Sequence, residues 1–210
     1  MIQNTKSRSV VGIIDLGISN IGKILNVLKN QNTNIKIIKS YKDFKNIDKL
    51  IFPGLGLFGK ASQELRAKNL TKLIKDYCLN KKKPYFGICL GMQILCKTSE
   101  ESPNEKGLLL LNDVCKKLKF NKKLNITVPH IGFKSIKERK KIKKDADKFY
   151  FTHSYYLEYL HKKKYMKSYV QYGDNKICSL IIKDNIHATQ FHPELSGIKG
   201  IKILNNFLNL

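Results

Sequence analysis

Residues 84–93, PYFGICLGMQ, run from a short apolar stretch through Gly-x-Cys-x-Gly into a second apolar stretch with helical spacing. Glycines two positions either side of Cys89 permit a cramped strand-to-helix turn that lifts the side chain over the carboxyl edge of a sheet. At a helix N-terminus the dipole favours the thiolate, and the amide of Leu90 is free to donate to an oxyanion. A buried structural thiol, such as Cys178 inside an apolar run, is the competing reading of this motif alone.

Residues 189–196, TQFHPELS, place a base and a carboxylate side by side at the end of an apolar run. An imidazole at His192 suits taking a proton from the thiol and returning it to a leaving amine, and a carboxylate at Glu194 suits fixing the ring tautomer. By itself the pair also fits a hydrogen-bonded strand-end histidine beside a solvated turn residue. A third segment, residues 51–58 (IFPGLGLF), runs a strand into Pro53-Gly54-Leu55-Gly56. Such glycines let backbone N–H groups approach a ligand and complete an oxyanion hole, though a plain turn reads the same way. It has neither the Gly-Lys-Ser/Thr ending of a phosphate loop nor GxGxxG spacing. Acyl transfer accounts for Cys89, His192 and Glu194, and no other His/Cys cluster has ligand spacing, so neither metal nor cofactor is expected.

These side chains need a sheet to present them. Residues 10–16 read as a buried strand, followed from Ser19 or Asn20 as N-cap by a helix with Ile21, Ile24, Leu25 and Leu28 on one face. Residues 35–38, 50–52 and 85–88 are further short strands, and residues 65–79 read as one helix with Leu70, Leu73, Ile74 and Tyr77 sharing a face. Strands alternating with helices imply a parallel sheet covered on both faces. Residues 108–118, 126–129, 149–153, 167–172, 177–182 and 187–191 then read mainly as strands, before a last helix at 197–208. The lysine-dense residues 134–148 are expected to form a surface loop. The expected fold is α/β, with a mixed, mainly parallel sheet flanked by helices.

With 210 residues and 42% apolar content, the chain is long enough for one core. Residues 10–210 are expected to form a single domain, with residues 1–9 a disordered N-terminus. No apolar run approaches the ~20 residues that span a bilayer, and the N-terminus lacks an apolar secretion signal, so a membrane or secreted protein is not expected. Five cysteines without CxxC spacing (78, 89, 96, 115 and 178) fit reduced thiols in the cytoplasm. Forty basic against sixteen acidic residues give a net charge of +24, a balance that by itself suggests an anionic partner. Only Arg8, Arg66 and Arg139 are arginines, however, and readers of phosphate and base edges favour the guanidinium fork. Composition therefore argues against a nucleic-acid role.

In the order PGLG, GICLGMQ, FHPE, the three motifs resemble those of the class I, triad-type glutamine amidotransferases. Within that family the chain looks most like the glutaminase subunits of imidazole glycerol phosphate synthase. The similarity runs from about residue 11 to 207 and includes IIDLGISN, SEES (99–102), VPHIGF (128–133), FYFTHSYY (149–156) and KILNNFL (202–208). It implies hydrolysis of L-glutamine through a γ-glutamyl thioester on Cys89, with His192 as base and Glu194 orienting it. By position Gly54, Leu55 and Leu90 supply the oxyanion region, and Gly56, Gln93, Glu101, Ser154 and Tyr155 line the glutamine pocket. Glu101 is a sensible counter-ion for the substrate's α-ammonium. His130 and His153 fall on the active-site and interface side in the family, and also fit hydrogen-bonded core histidines.

The resemblance further implies a heterodimer with a (β/α)8-barrel cyclase, which receives the ammonia and makes imidazole glycerol phosphate and an aminoimidazole carboxamide ribotide in histidine biosynthesis. Two departures bear on that assignment. Phe133-Lys134 stands where the family usually has Trp-Asn, and Leu195 stands where a basic residue commonly follows HPE. Paralogues that feed ammonia to sugar-modifying enzymes of surface-polysaccharide pathways are the alternative acceptor class. A non-catalytic amidotransferase-like binding module is the second alternative, against which the intact Cys89, His192 and Glu194 speak.

Overall fold

The computed structural model describes residues 9–18, 20–29, 31, 33–123, 126–138 and 147–210. β1 (Val10–Ile14) leads through α1 (Gly22–Lys29) to β2 (Asn34–Ile38). β3 (Lys49–Phe52) leads through α2 (Phe58–Ala67) and α3 (Leu70–Leu79) to β4 (Tyr85–Ile88) and the short α4 (Leu90–Gln93). Then come β5 (Thr98–Ser99), β6 (Val114–Lys117), β7 (His130–Ser135), β8 (Lys137–Glu138) and β9 (Lys148–His153). β10 (Tyr155–Leu157), β11 (Met166–Tyr172), β12 (Asn175–Lys183), β13 (Ile186–Thr189) and α5 (Gly197–Leu208) complete the order.

One eight-stranded sheet has the order β2-β1-β3-β4-β13-β12-β11-β8. Its first five strands are parallel, and β12, β11 and β8 are added antiparallel. The architecture is α/β, with a mixed, largely parallel sheet flanked by helices. β3 and β4 are buried along their whole length because helices cover both faces, and their side chains alternate between two cores. Leu50, Phe52 and Tyr85 join Leu65, Leu70 and Ile74 on the α2–α3 side. Ile51, Phe86 and Ile88 join Ile24 and Leu28 of α1 and Leu204 and Phe207 of α5 on the other. Each such side chain gains about 1.5–3 kcal/mol on burial, so a one-residue slip of register would reverse every contact of the strand.

Several sequence expectations need correction. Residues 65–79 are two helices: α2 begins at Phe58, and the chain breaks at Asn69, which takes a left-handed conformation (φ 55°). Leu65 and Leu70 are both buried in the same core, yet five residues separate them by about 140° on a continuous helix, so a break must re-aim the second. Of residues 108–118 only Val114–Lys117 is strand. The leucines before it pack irregularly on the end of α4, where Leu108 N donates to Ile94 O and Leu110 N to Leu95 O. Residues 126–129 contribute only an isolated bridge between Ile126 and Asn121, and strand starts at His130, after Pro129, which has no N–H to donate.

The lysine-dense residues are also more ordered at their ends than a loop. Lys134 and Ser135 close β7, Lys137–Glu138 forms the edge strand β8, and Lys148 opens β9. All five are exposed, as a charged edge requires, while Ile136 packs against a small third core. Residues 139–146 lie outside the described residues, as do Ser19 and the first eight residues. Asn20 does act at the start of α1: its Oδ1 accepts from Gly22 N at 2.8 Å.

Candidate active site

β4 and β13 are parallel neighbours, with Ile88 opposite Thr189, so the residues that follow each strand emerge at the same edge of the sheet. Cys89 follows β4 with φ 47° and ψ −97°, a backbone conformation rare for a side-chain-bearing residue and of the strained kind found at functional turns. The turn is held on both sides: Cys89 N donates to Thr189 O at 2.7 Å, and Tyr85 OH donates to Gly91 O at 2.7 Å. Two glycines are required by close approach. A Cβ on Gly91 would lie 2.1 Å from Phe52 O, and one on Gly54 would lie 1.7 Å from Ile88 O and 2.7 Å from Leu90 N. The PGLG turn after β3 is thereby pressed against the Cys89 turn. Leu90 opens α4, so its N–H has no intrahelical acceptor.

His192 follows β13 and is 1% exposed. Its backbone is strapped down, since His192 N donates to Tyr150 O at 2.9 Å and Ser196 Oγ donates to His192 O at 2.6 Å. Its Nδ1 lies 2.8 Å from Glu194 Oε1. The carboxylate accepts, so Nδ1 carries a proton and Nε2 is the nitrogen free to exchange one. Burial alone would depress the imidazole, but the Cys89 sulfur and the Glu194 carboxylate outweigh it and hold His192 up at about 10. His192 Nε2 and Glu194 Oε2 are both buried, and neither has a conventional hydrogen-bond partner among the described residues. What favours a charged His192 is the Cys89 sulfur and the Glu194 carboxylate.

Two residues that sequence reasoning missed touch the thiol. Gln190, fully buried, donates from Nε2 to Cys89 Sγ at 3.4 Å, and Cys89 Sγ donates to Thr152 O at 3.8 Å. Gln190 precedes His192 by two residues, the extended-chain spacing that puts alternate side chains on one side, and this was the available signal. Gln93 Nε2 donates to Tyr155 O at 2.7 Å and to Gln190 Oε1 at 3.4 Å. Both its protons are committed, so what Gln93 can offer a ligand is its carbonyl oxygen.

Tyr155 thus takes part through its backbone carbonyl, which also receives His153 Nδ1 at 3.0 Å. Ser154 is held through its carbonyl, which accepts from Leu118 N at 2.8 Å. Glu101 Oε2 accepts from Phe58 N at 2.6 Å. Gly56 takes φ +133°, and the Leu55 side chain is 45% exposed, while the close approach to the Cys89 turn is made by Gly54. His130 and His153 form a buried pair, Nδ1 to Nε2 at 3.1 Å, with the His130 ring stacked 4.1 Å from that of Tyr172. Burial drives His130 down to about 4 and His153 to about 3, so both are neutral core histidines.

The profile of the family described as "Glutamine amidotransferase class-I" matches residues 12–210, nearly the whole chain. The chain belongs to that family. Among curated relatives of this class-I amidotransferase, the imidazole glycerol phosphate synthase subunit HisH of Leptospira borgpetersenii is 35% identical over 207 residues, covering 96% of this chain and 100% of the relative. The chloroplastic imidazole glycerol phosphate synthase hisHF of Arabidopsis thaliana is 36% identical over 211 residues, which are 98% of this chain but 35% of that protein. A crystal structure of a glutamine amidotransferase superposes with a TM-score of 0.74 at 18% identity, covering 96% of this chain and 98% of the other, and so shares the fold. Among the described residues this amidotransferase has no cluster of His, Cys, Asp or Glu able to hold a metal, and no helix long and apolar enough to cross a membrane.

Proposed function

We propose that residues 10–210 act as a single cytoplasmic glutaminase domain that hydrolyses L-glutamine to glutamate and ammonia, and that it serves as the glutaminase half of an imidazole glycerol phosphate synthase. The observation that carries the chemistry is the placement of Cys89 on its strained turn beside a His192 held at about 10 by that sulfur and by Glu194. A protonated imidazole next to the thiol is the partner a thiolate nucleophile needs.

The Cys89 thiolate attacks the substrate's γ-carbonyl carbon, and the oxyanion is met by the Leu90 N–H and by backbone N–H groups of the Gly54-Leu55 turn, each worth about 10²–10³ in rate. His192 Nε2 gives its proton to the γ-nitrogen, the C–N bond breaks, and ammonia leaves with Cys89 acylated. The now neutral His192 takes a proton from water, the hydroxide attacks the thioester, and glutamate departs with the thiolate restored. Glu194 holds Nδ1–H throughout and fixes the tautomer. Gln93 presents its carbonyl oxygen to the substrate, and Glu101 pairs with the α-ammonium.

For the acceptor, the support is the 35% identity to a HisH subunit and the match to one part of the longer hisHF protein, which leaves room there for a second module. The partner we propose is a (β/α)8-barrel cyclase. Leu55, Leu57, Ile131 and Phe133 are 45–61% exposed on the segments that adjoin the site, an apolar rim suited to docking. A second reading, an amidotransferase feeding a sugar-modifying enzyme, is favoured by Phe133 and Lys134 at that rim and by Leu195 after His192-Pro193-Glu194.

Glutamate release by the purified chain, alone and mixed with its organism's barrel cyclase, with and without that cyclase's nucleotide substrate, tests both. Stimulation that needs cyclase and nucleotide is expected. Cys89-dependent release indifferent to them would move the acceptor to the second reading, and no release under any condition would leave a non-catalytic module.

A further inference from the structure

Glu101 has more to do in this fold than meet a substrate charge. Its Oε2 accepts the N–H of Phe58, the first residue of α2, at 2.6 Å. Phe58 lies directly beyond residues 53–57, the segment whose other end is Gly54, packed on the Cys89 turn. The PGLG segment is therefore suspended between two anchors: β3 with the Gly54 contact at one end, and the Glu101 carboxylate at the other. The Phe58 side chain is buried in the core, but among the described residues its N–H has no acceptor other than Glu101, since Leu57 precedes the helix without a side-chain cap bond and is 61% exposed. Further along α2, Ser62 Oγ donates to Lys106 O at 2.5 Å and Arg66 pairs with Glu105 at 2.6 Å, so the helix body is tied to the same loop independently of Glu101.

Resting on the glutaminase reading above, we propose that Glu101 is a positioning residue for the oxyanion turn as well as the substrate's counter-ion. One carboxylate serves both tasks: Oε2 fixes Phe58 N–H and so the far end of residues 53–57, while Oε1, without a hydrogen-bond partner among the described residues, receives the ammonium. Substrate recognition and the register of the oxyanion donors are thus joined in a single group. A charge-assisted bond to a backbone N–H is among the stronger hydrogen bonds, and its loss frees the segment that must stay in register with Leu90 N–H.

The two tasks separate on a substrate that has no α-ammonium. Glutaramate, the deaminated analogue of glutamine, keeps the γ-amide and needs no counter-ion. With the full chain in complex with its cyclase and the cyclase's ligand, Glu101→Ala is expected to lower glutaramate turnover about tenfold or more. Glu101→Gln, which keeps an acceptor for Phe58 N–H, is expected to recover most of that loss. Hydrogen exchange at Phe58 should quicken in Glu101→Ala and stay slow in Glu101→Gln. Glu105→Ala, which cuts a different tie between α2 and the same loop, is expected to leave glutaramate turnover unchanged.

Equal glutaramate turnover by wild type and Glu101→Ala would overturn the positioning role, as would an equal loss in Glu105→Ala, or unchanged exchange at Phe58 should glutaramate not be hydrolysed by any form. Each of those outcomes leaves wild-type glutamine hydrolysis intact, whereas failure of the glutaminase reading is seen as no glutamate release from glutamine by the wild-type complex.

Discussion

Replacing Gly54 by alanine probes the contact that holds the two halves of the site together. The added Cβ would sit 1.7 Å from Ile88 O, 2.6 Å from Ile88 C and 2.7 Å from Leu90 N, all backbone atoms that no rotamer change can move aside. Restoring an ordinary separation of about 3.5 Å requires the PGLG turn and the Cys89 turn to part by about 1.5–2 Å. Misplacement of about 1 Å at a reacting centre costs about 10²-fold, so glutaminase activity should fall by at least that factor. Overpacking of this kind costs about 1–3 kcal/mol, which in a 210-residue chain corresponds to a Tm lowered by about 2–12 °C. The assay is glutamate release with the partner present, read beside thermal unfolding of the same preparation. A Gly54→Ala protein with activity within about fivefold of wild type and an unchanged Tm would refute the argument that these turns are in register.

Three further outcomes follow from the same geometry. Cys89→Ser should abolish glutamine hydrolysis while leaving the far-ultraviolet circular dichroism and partner docking as they are, since the exchange is nearly isosteric but loses the accessible thiolate. Glu194→Gln removes the charge that helps hold His192 at about 10, so the His192 titration followed by NMR should move down, with turnover reduced by about 10²–10⁴-fold. The buried histidine pair makes the fold acid-labile: His130 and His153 titrate at about 4 and about 3 against 6.5 when exposed, so the unfolded chain binds more protons as pH falls below 6.5. Their contribution is complete above that pH and is lost toward 4 and 3, whereas His192, raised to about 10, stays charged throughout that range and adds no slope. His130→Phe should accordingly flatten the dependence of Tm on pH between 4 and 6.5, and an unaltered slope would contradict the burial argument.

The parts of the site that could be read from residues alone are those in which one short segment carries both its chemistry and its geometry. Gly87, Cys89 and Gly91 define a turn whatever surrounds it, and His192 and Glu194, within three residues of each other, are near enough in sequence to form the hydrogen bond they make at 2.8 Å. The strands with continuous apolar runs were legible for the same reason, since burial on both faces leaves no polar register to confuse. Contacts across the fold were not. Phe58 and Glu101 are 43 residues apart and meet through a backbone N–H, which no side-chain pattern announces. Tyr155 enters through its carbonyl, so its identity carries no signal. The break at Asn69 escaped because apolar spacing continues from α2 into α3, and only the common burial of Leu65 and Leu70 demands that the chain turn. Residues 108–111, the start of the expected strand at 108–118, differ in the opposite way: a leucine-rich stretch fits a strand, yet its N–H groups are already taken by carbonyls just beyond α4.

The pairing of β4 with β13 also sets when, in the life of the chain, Cys89 and His192 can meet. Ile88 and Thr189 are ladder neighbours although their numbers differ by 101, and His192 follows three residues after Thr189. A ribosome that has made β4 but not yet β13 has therefore built the Cys89 turn without His192, on a sheet whose outer strand offers an unpaired edge. The neighbourhood of Cys89 and His192 in which we propose the chemistry lies is absent until β13 has emerged, and the closing of that edge and the meeting of the two residues are one event. Contacts of such sequence separation form slowly, so the interval in which β4 is bare is when newly made chains are most exposed to aggregation.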